Sequence, residues 1–311
     1  MIEITHLTKL YGQQAAVNDI SFKVDRGEVV GFLGPNGAGK STTMKIITCF
    51  MPPSDGVVTV DGMSVEEHSL EVRKMIGYLP ELNPLYLEMN VIDFLDYVGE
   101  LRGIDSSVRS GRVREIIDTC ALGEVLHKNI GQLSKGYKQR VGLGQAMIHD
   151  PEILILDEPT IGLDPNQVVD IRNLIKQLGR EKTVILSTHI LTEVQATCDR
   201  AVIINRGSIV ADSSIADLQR DASKQDVIDI EITGESNNVS QSLSALEGIS
   251  EVREIYPDET KDKCYRIIAE AGVDPRKDIF QAAVTGGWIL VGMNRQVHSL
   301  EEVFHQLTMS N

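Results

Sequence analysis

Long apolar runs are missing from this chain of 311 residues. The longest, such as Val29–Leu33 and Ile153–Leu156, are only a few residues long, whereas a helix needs about 20 to cross a bilayer. The opening Met1-Ile2-Glu3-Ile4 lacks a basic start followed by an apolar segment, so no signal peptide is expected. Cysteine is scarce: Cys49, Cys120, Cys198 and Cys264 are widely scattered and form no CxxC pair. This pattern suits free thiols in a reducing cytosol rather than a disulfide framework. Positive charge is also in short supply, with 30 Lys and Arg against 45 Asp and Glu, a net charge of −15. A nucleic-acid coat and a polybasic membrane anchor both need clustered Lys and Arg, so both are disfavoured. An anion such as a nucleotide is not excluded, because a phosphate site needs only a few local donors.

What is present is an ordinary soluble composition, 42% hydrophobic and 24% charged, over a length that fits roughly two domains. Residues 1–80 read as short strands and turns. Ile20–Val24 alternates apolar and polar residues, and Glu28–Leu33 is a near-continuous apolar run, as expected of a strand buried on both faces. Helical spacing marks Ser41 to about Phe50, Val91–Leu101, Val108–Cys120 and Ser134 to Ile148. Strands are expected at Val57–Val60, Met75–Leu79, Ile153–Leu156, Thr183–Ser187, Ala201–Asn205 and Ser208–Ala211. Strands alternating with helices imply a largely parallel sheet.

Polar residues 212–226 read as a join, with the linker itself at 221–226. The tail then gives strand (Val227–Thr233), helix (Val239–Leu246), strands (Val252–Tyr256 and Tyr265–Ala269), helix (Ile279–Val284) and strand (Trp288–Met293). That βαββαβ order points to a small α+β, ferredoxin-like domain over 227–311. Ser299 with Glu302 three residues on makes a capping-box pattern for a last short helix. Residues 225–311 hold 15 acids against 7 bases, whereas residues 1–224 hold 30 against 23. Over half the excess negative charge therefore sits in the tail, which is expected to face solvent or a protein.

Gly34-Pro35-Asn36-Gly37-Ala38-Gly39-Lys40-Ser41, followed by Thr42, matches G-x-x-x-x-G-K-[ST] between an apolar strand and a helix. Glycines let the backbone wrap an anion and aim its N–H groups inward, and the helix N-terminus adds partial positive charge. Lys40 can reach the β- and γ-phosphates, and Ser41 can ligate Mg²⁺. Further on, Ile153–Leu156 ends in Asp157 and Glu158. A buried strand delivers such residues to the carboxyl edge of the sheet, where α/β proteins bind ligands. Asp157 there can hold Mg²⁺, directly or through water, and Glu158 can polarise an attacking water.

Leu133-Ser134-Lys135-Gly136-Tyr137-Lys138-Gln139-Arg140 resembles the LSGGQ signature of ABC transporter ATPases, with Lys135 in place of a glycine and Tyr137 in place of the glutamine. Gly162-Leu163-Asp164-Pro165 resembles the D-loop of that family, Ser187-Thr188-His189 ends like its switch histidine, and Tyr11 resembles the aromatic that stacks on adenine. The match runs over about residues 1–220 in the family's order. The resemblance implies an α/β P-loop NTPase fold: a RecA-like core with an antiparallel β subdomain and a helical insertion at about 85–150. It implies ATP and Mg²⁺ as cofactors, Ser134 and Gly136 reaching the γ-phosphate held by a second copy of the chain, and Asp164 close to the same nucleotide. Glu81 stands where the family has a glutamine that senses Mg²⁺, water and the membrane subunit. A carboxylate is still a hard oxygen ligand, and it adds negative charge beside the γ-phosphate.

The same resemblance implies an ATP-sandwich dimer that powers transport through separate permease subunits, at the cytoplasmic side of the inner membrane, with no nucleic acid as partner. The Leu-Ser-Lys-Gly-Tyr form, residues 77–86 and Ser299–Phe304 are similar to ABC-2-type export ATPases, most of all to gliding-motility-associated ATPase subunits. A non-transport relative acting on nucleic acid or the ribosome is the alternative. Sustained heptads, zinc-type cysteine pairs and basic linkers, which mark such relatives, are missing.

Overall fold

The computed structural model describes residues 2–222, 227–233, 238–255, 263–270, 273–296 and Phe304. The chain divides into two compact units, Met1–Ile215 and Ala216–Asn311. In the first, β1 (Ile2–Tyr11) and β2 (Gln14–Val24) lead into β3 (Val29–Leu33), α1 (Lys40–Ile47), β4 (Asp55–Val60), β5 (Met63–Ser64), α2 (Ser69–Met75) and β6 (Ile76–Leu79). Helices α3 (Val91–Leu101), α4 (Ser106–Thr119) and α5 (Lys135–Met147) follow. Then come β7 (Ile153–Asp157), α6 (Pro165–Leu178), β8 (Thr183–Thr188), α7 (Leu191–Thr197), β9 (Arg200–Asn205) and β10 (Ser208–Ser214).

A six-stranded sheet of order β10-β9-β3-β8-β7-β6 carries the unit, and every pairing in it is parallel except β10 on β9. Strands β3, β7 and β8 are buried along their whole length, which is why they read as continuous apolar runs rather than alternating ones. A second, antiparallel sheet runs β2-β1-β4-β5. Its long strand β1 slips register between Ile4 and Leu7, where His6 takes a positive φ and pairs with Asp19 at 2.7 Å. One cluster joins both sheets through Phe22, Phe32, Met44, Ile155 and Ile185.

The helical stretch packs because its apolar residues recur each turn. On α3, Val91, Phe94, Leu95 and Val98 are all buried, and burying each such side chain contributes about 1.5–3 kcal/mol. The Asn90 side chain starts that helix by accepting from Asp93 N at 2.9 Å, and Asp105 starts α4 through Ser107 N at 2.9 Å.

Helix α8 (Ile215–Ala222) runs into the stretch expected as linker; residues 223–226 lie outside the described ones. The second unit contains β11 (Val227–Thr233), α9 (Val239–Ser244), β12 (Ile249–Ile255), β13 (Lys263–Ala269), α10 (Arg276–Gly286) and β14 (Ile289–Gln296). Their order is βαββαβ, and the antiparallel sheet runs β12-β13-β11-β14. Ile230, Ile267, Leu243, Ile279 and Trp288 form its core. The helix expected from Ser299, with its Glu302 cap, lies outside the described residues.

Candidate functional site

Three parallel strands end side by side, and their ends make the site. Leu33 pairs with Thr188, and Asp157 with Ser187. Gly34, Glu158 and His189 each follow one of these three strands. Gly34 N donates to Thr188 O at 3.3 Å, and Glu158 N donates to Ser187 O at 3.1 Å. From this edge the 34–39 loop turns into α1. A Cβ on Gly34 would sit 2.3 Å from Ile204 O, so the loop passes too close to β9 for any side chain. Gly39, at φ +109, precedes Lys40 in a conformation that only glycine adopts readily.

Lys40 is buried and its Nζ is saturated from within. It donates to Gly34 O at 2.8 Å and Pro35 O at 3.2 Å, and it pairs with Glu158 Oε1 at 3.2 Å. The other Glu158 oxygen accepts from His189 Nδ1 at 2.9 Å. Glu158 is itself buried and adopts φ +50, a strained value for a residue with a side chain. Asp157, also buried, accepts from Ser41 Oγ at 3.1 Å and from Ser187 Oγ. Thr188 donates to the buried Glu193 at 2.9 Å, which anchors the turn that carries His189.

A cavity of about 440 Å³ opens above these groups, lined by Ala16, Asn36, Gly37, Gly39, Lys40, Ser41, Thr42, Glu81, Glu158 and Ile161. Its cationic group is Lys40, its floor is backbone and hydroxyl, and carboxylates border it at Glu81 and Glu158. Such a lining takes a polyanion whose charge a divalent cation partly offsets. The oxygens of Ser41, Asp157 and Glu81 are hard donors of the kind Mg²⁺ prefers. No cluster of three or more His, Cys, Asp or Glu that could hold a metal occurs among the described residues.

Glu81 is exposed and follows β6. Upstream on that strand, the Tyr78 hydroxyl is buried without a hydrogen-bond partner among the described residues, and burial, together with the charges of Asp157 and Glu81, pushes its pKa up. Tyr11 lies at the β1–β2 hairpin, half exposed, with its hydroxyl donating to Met51 Sδ at 3.2 Å; it is not among the residues lining the cavity.

Ser134, Gly136 and Asp164 are also outside that lining, but they share a neighbourhood with one another. Ser134 caps α5 through Tyr137 N at 3.4 Å, and Asp164 caps α6 through Gln167 N at 3.0 Å. A Cβ on Gly136 would meet the Gln167 side chain at 2.6 Å, so the two helix starts touch. Ser187 and Tyr78 lie inside family-like stretches that assigned them no role, and Glu193 carries no motif of its own. The legible signal for Ser187 was a hydroxyl at the polar end of the apolar strand β8, beside the strand that ends in Asp157.

Cys120 is buried, and burial pushes its thiol up to about 12.

A strand–loop–helix phosphate cradle at the carboxyl edge of a parallel sheet, faced by a strand-end carboxylate pair, defines a P-loop nucleoside triphosphatase. The family model for ABC transporters matches residues 17–161. The ABC transporter ATP-binding protein NatA of Bacillus subtilis is 37% identical over 214 residues, covering 68% of this chain and 87% of that protein. The linearmycin resistance ATP-binding protein LnrL of the same species is 32% identical over 253 residues, 81% of each chain. Among solved structures, an ATP-binding subunit of an ABC transporter superposes with a TM-score of 0.64 at 31% identity, covering 71% of this chain and 92% of that one. A dimeric ATP-binding cassette in a post-hydrolysis state, bound to ADP and Pi, superposes at 0.63 with 25% identity, over 69% and 99%. The chain belongs to the ABC transporter ATP-binding family, and it binds and hydrolyses ATP.

Proposed function

We propose that this chain is the ATP-hydrolysing subunit of an ABC-2-type exporter, and that two copies close face to face around two ATP molecules. The observation that carries the reading is a separation. Lys40, Ser41 and Glu158 line one cavity, with Asp157 bonded to Ser41 and His189 to Glu158, while Ser134, Gly136 and Asp164 stand at two touching helix starts outside its lining. One chain therefore offers two half-sites, and a second copy supplies the missing half of each.

In this reading the amides of the 34–39 loop and Lys40 bind the β- and γ-phosphates, and Lys40 exchanges Glu158 for phosphate oxygens. Ser41 and Asp157 hold Mg²⁺, with Glu81 bordering the site. When bound, the ion offsets charge on the β- and γ-oxygens. Glu158, released from Lys40, orients a water and accepts its proton, and His189 holds Glu158 in place and faces the γ-phosphate. Tyr11 supplies an aromatic face for adenine. Ser134 and Gly136 donate to the γ-phosphate held by the second copy, with Asp164 of their own chain close to the same nucleotide. Glu81 links the metal site to the membrane partner.

Export is supported by the names of relatives, among them the bacitracin transport ATP-binding protein BcrA of Bacillus licheniformis, 34% identical over 212 residues. No described helix is long and apolar enough to cross a membrane, so the reading places the chain peripherally, on the cytoplasmic face of separate permease subunits. The gliding-motility likeness rests on residues 77–86 and 299–304 and adds a candidate setting for that exporter. The unit after Ile215 serves as an accessory domain. The test is Glu158→Gln with MgATP in sedimentation. A stable dimer supports the reading, and a monomer at saturating MgATP overturns it.

A further inference from the structure

Two residues depart from the LSGGQ pattern, and both make contacts of their own. The Tyr137 hydroxyl donates to Glu124 Oε2 at 3.3 Å. Lys135 reaches the other way. Its Nζ lies 2.3 Å from where a Cβ on Gly162 would stand, with Cε at 3.4 Å and Cδ at 3.7 Å. The end of the lysine thus occupies the space that a side chain at position 162 would need. The Lys135 side chain makes no hydrogen bond or ion pair among the described residues, so the contact is one of packing. Gly162, at φ +67, leaves that space open.

This contact is the first of three along two helix starts. One residue on, Gly136 abuts Gln167, and one turn further Arg140 Nη2 pairs with Asp170 Oδ2 at 2.9 Å. The turn beneath Lys135 leads straight back to Glu158. Ile161 N donates to Glu158 O at 3.2 Å, and Leu163 N donates to Thr160 O at 3.2 Å.

We propose that Lys135 is a positioning residue, whose side-chain end fills the room over Gly162 and fixes the 158–164 turn to the start of α5. The inference rests on the reading of Glu158 as the base and of Ser134 as part of the half-site offered to a second copy. A nucleotide that engages the start of α5 then steadies the Glu158 of the same chain. The glycine missing from the signature stretch is matched by a glycine in the loop it packs on. Misplacing a base by an ångström lowers turnover without weakening phosphate binding.

The test is a double-mutant cycle on the full chain, with steady-state hydrolysis of MgATP and hydrogen exchange over residues 158–164 as readouts. Lys135→Ala is expected to lower kcat about fivefold to tenfold and to leave KM within about twofold. Lys135→Met keeps an unbranched stem and is expected to return kcat to within about twofold of the parent. Gly162→Ala is expected to cost more kcat in the parent than in the Lys135→Ala background, where the space is free. Exchange over 158–164 is expected to rise in Lys135→Ala and to fall back in Lys135→Met. An unchanged kcat in Lys135→Ala, a raised KM at constant kcat, or strictly additive singles would overturn the proposal. Glu158→Gln separates the two levels. If it turns over ATP like the parent, the base assignment fails, while the exchange data still decide the packing of Lys135 on Gly162.

Discussion

Lys40 Nζ and Glu158 Oε1 stand 3.2 Å apart, both side chains buried. The proposed phosphate lysine and the proposed base thus neutralise one another, with His189 on the second carboxylate oxygen. A buried charge left without its partner is costly, so phosphate oxygens replace Glu158 rather than add to it. Glu158→Gln keeps the shape and an acceptor for Lys40 while removing the charge. ATP affinity is expected to hold or rise, and hydrolysis to fall by about 100-fold or more. Fluorescent-nucleotide binding and phosphate release measure the two separately.

Ser187 ties Asp157 to β8. Ser187→Ala removes a bond to a charged acceptor, worth about 1.5–3 kcal/mol, and loosens the carboxylate that faces Ser41. The Mg²⁺ concentration for half-maximal hydrolysis is expected to rise severalfold, while metal-free nucleotide binding stays unchanged. A metal titration of both proteins reads the difference.

Phe94 is buried at the centre of the apolar face of α3. Phe94→Ala is expected to cost about 3–5 kcal/mol of stability, seen as a lower urea midpoint.

His149 gives a pH dependence with a definite sign. Its Nε2 donates to Ile76 O at 3.1 Å, and its Nδ1 is buried without a partner among the described residues. Burial first, and then Arg102, Arg112 and Lys182, hold its pKa down to about 4. Above its ordinary value of about 6.5 the ring is neutral folded or unfolded and adds no slope. Between that value and about 4 the unfolded chain binds the proton and the folded one does not. His149 therefore withdraws stability as pH falls through this window. Urea midpoints from pH 7 to 4 are expected to fall less steeply in His149→Asn than in the parent.

Much of the core was legible because burial writes itself into strands such as β3 and β7, whose residues are all apolar up to the site. The strands of the second unit were legible through the alternation in β11 and β13. Strand β1 was harder, because the bulge at His6 breaks its alternation. Helices α2 and α7 span seven residues each, too few for a helical period to stand out. At the site, the loop pattern marked Lys40, the strand end marked Asp157 and Glu158, and the family resemblance marked His189. Their meeting depends on β3, β8 and β7 lying next to one another in parallel register, which is a tertiary fact. The hold of Glu158 on Lys40 and the packing of Lys135 on Gly162 belong to that same level.

Whether two copies complete each other's sites is tested most directly by mixing two inactive chains. Lys40→Ala lacks the proposed phosphate lysine. Ser134→Asp keeps a good helix cap but sets a carboxylate where a γ-phosphate would dock. Each alone is expected to hydrolyse ATP at a few per cent of the parent rate or less. In a mixed dimer, the intact 34–41 loop of one chain meets the intact Ser134 of the other, so activity is expected to return on mixing. A mixture that stays inactive, or a Ser134→Asp chain that turns over like the parent, would contradict the shared site.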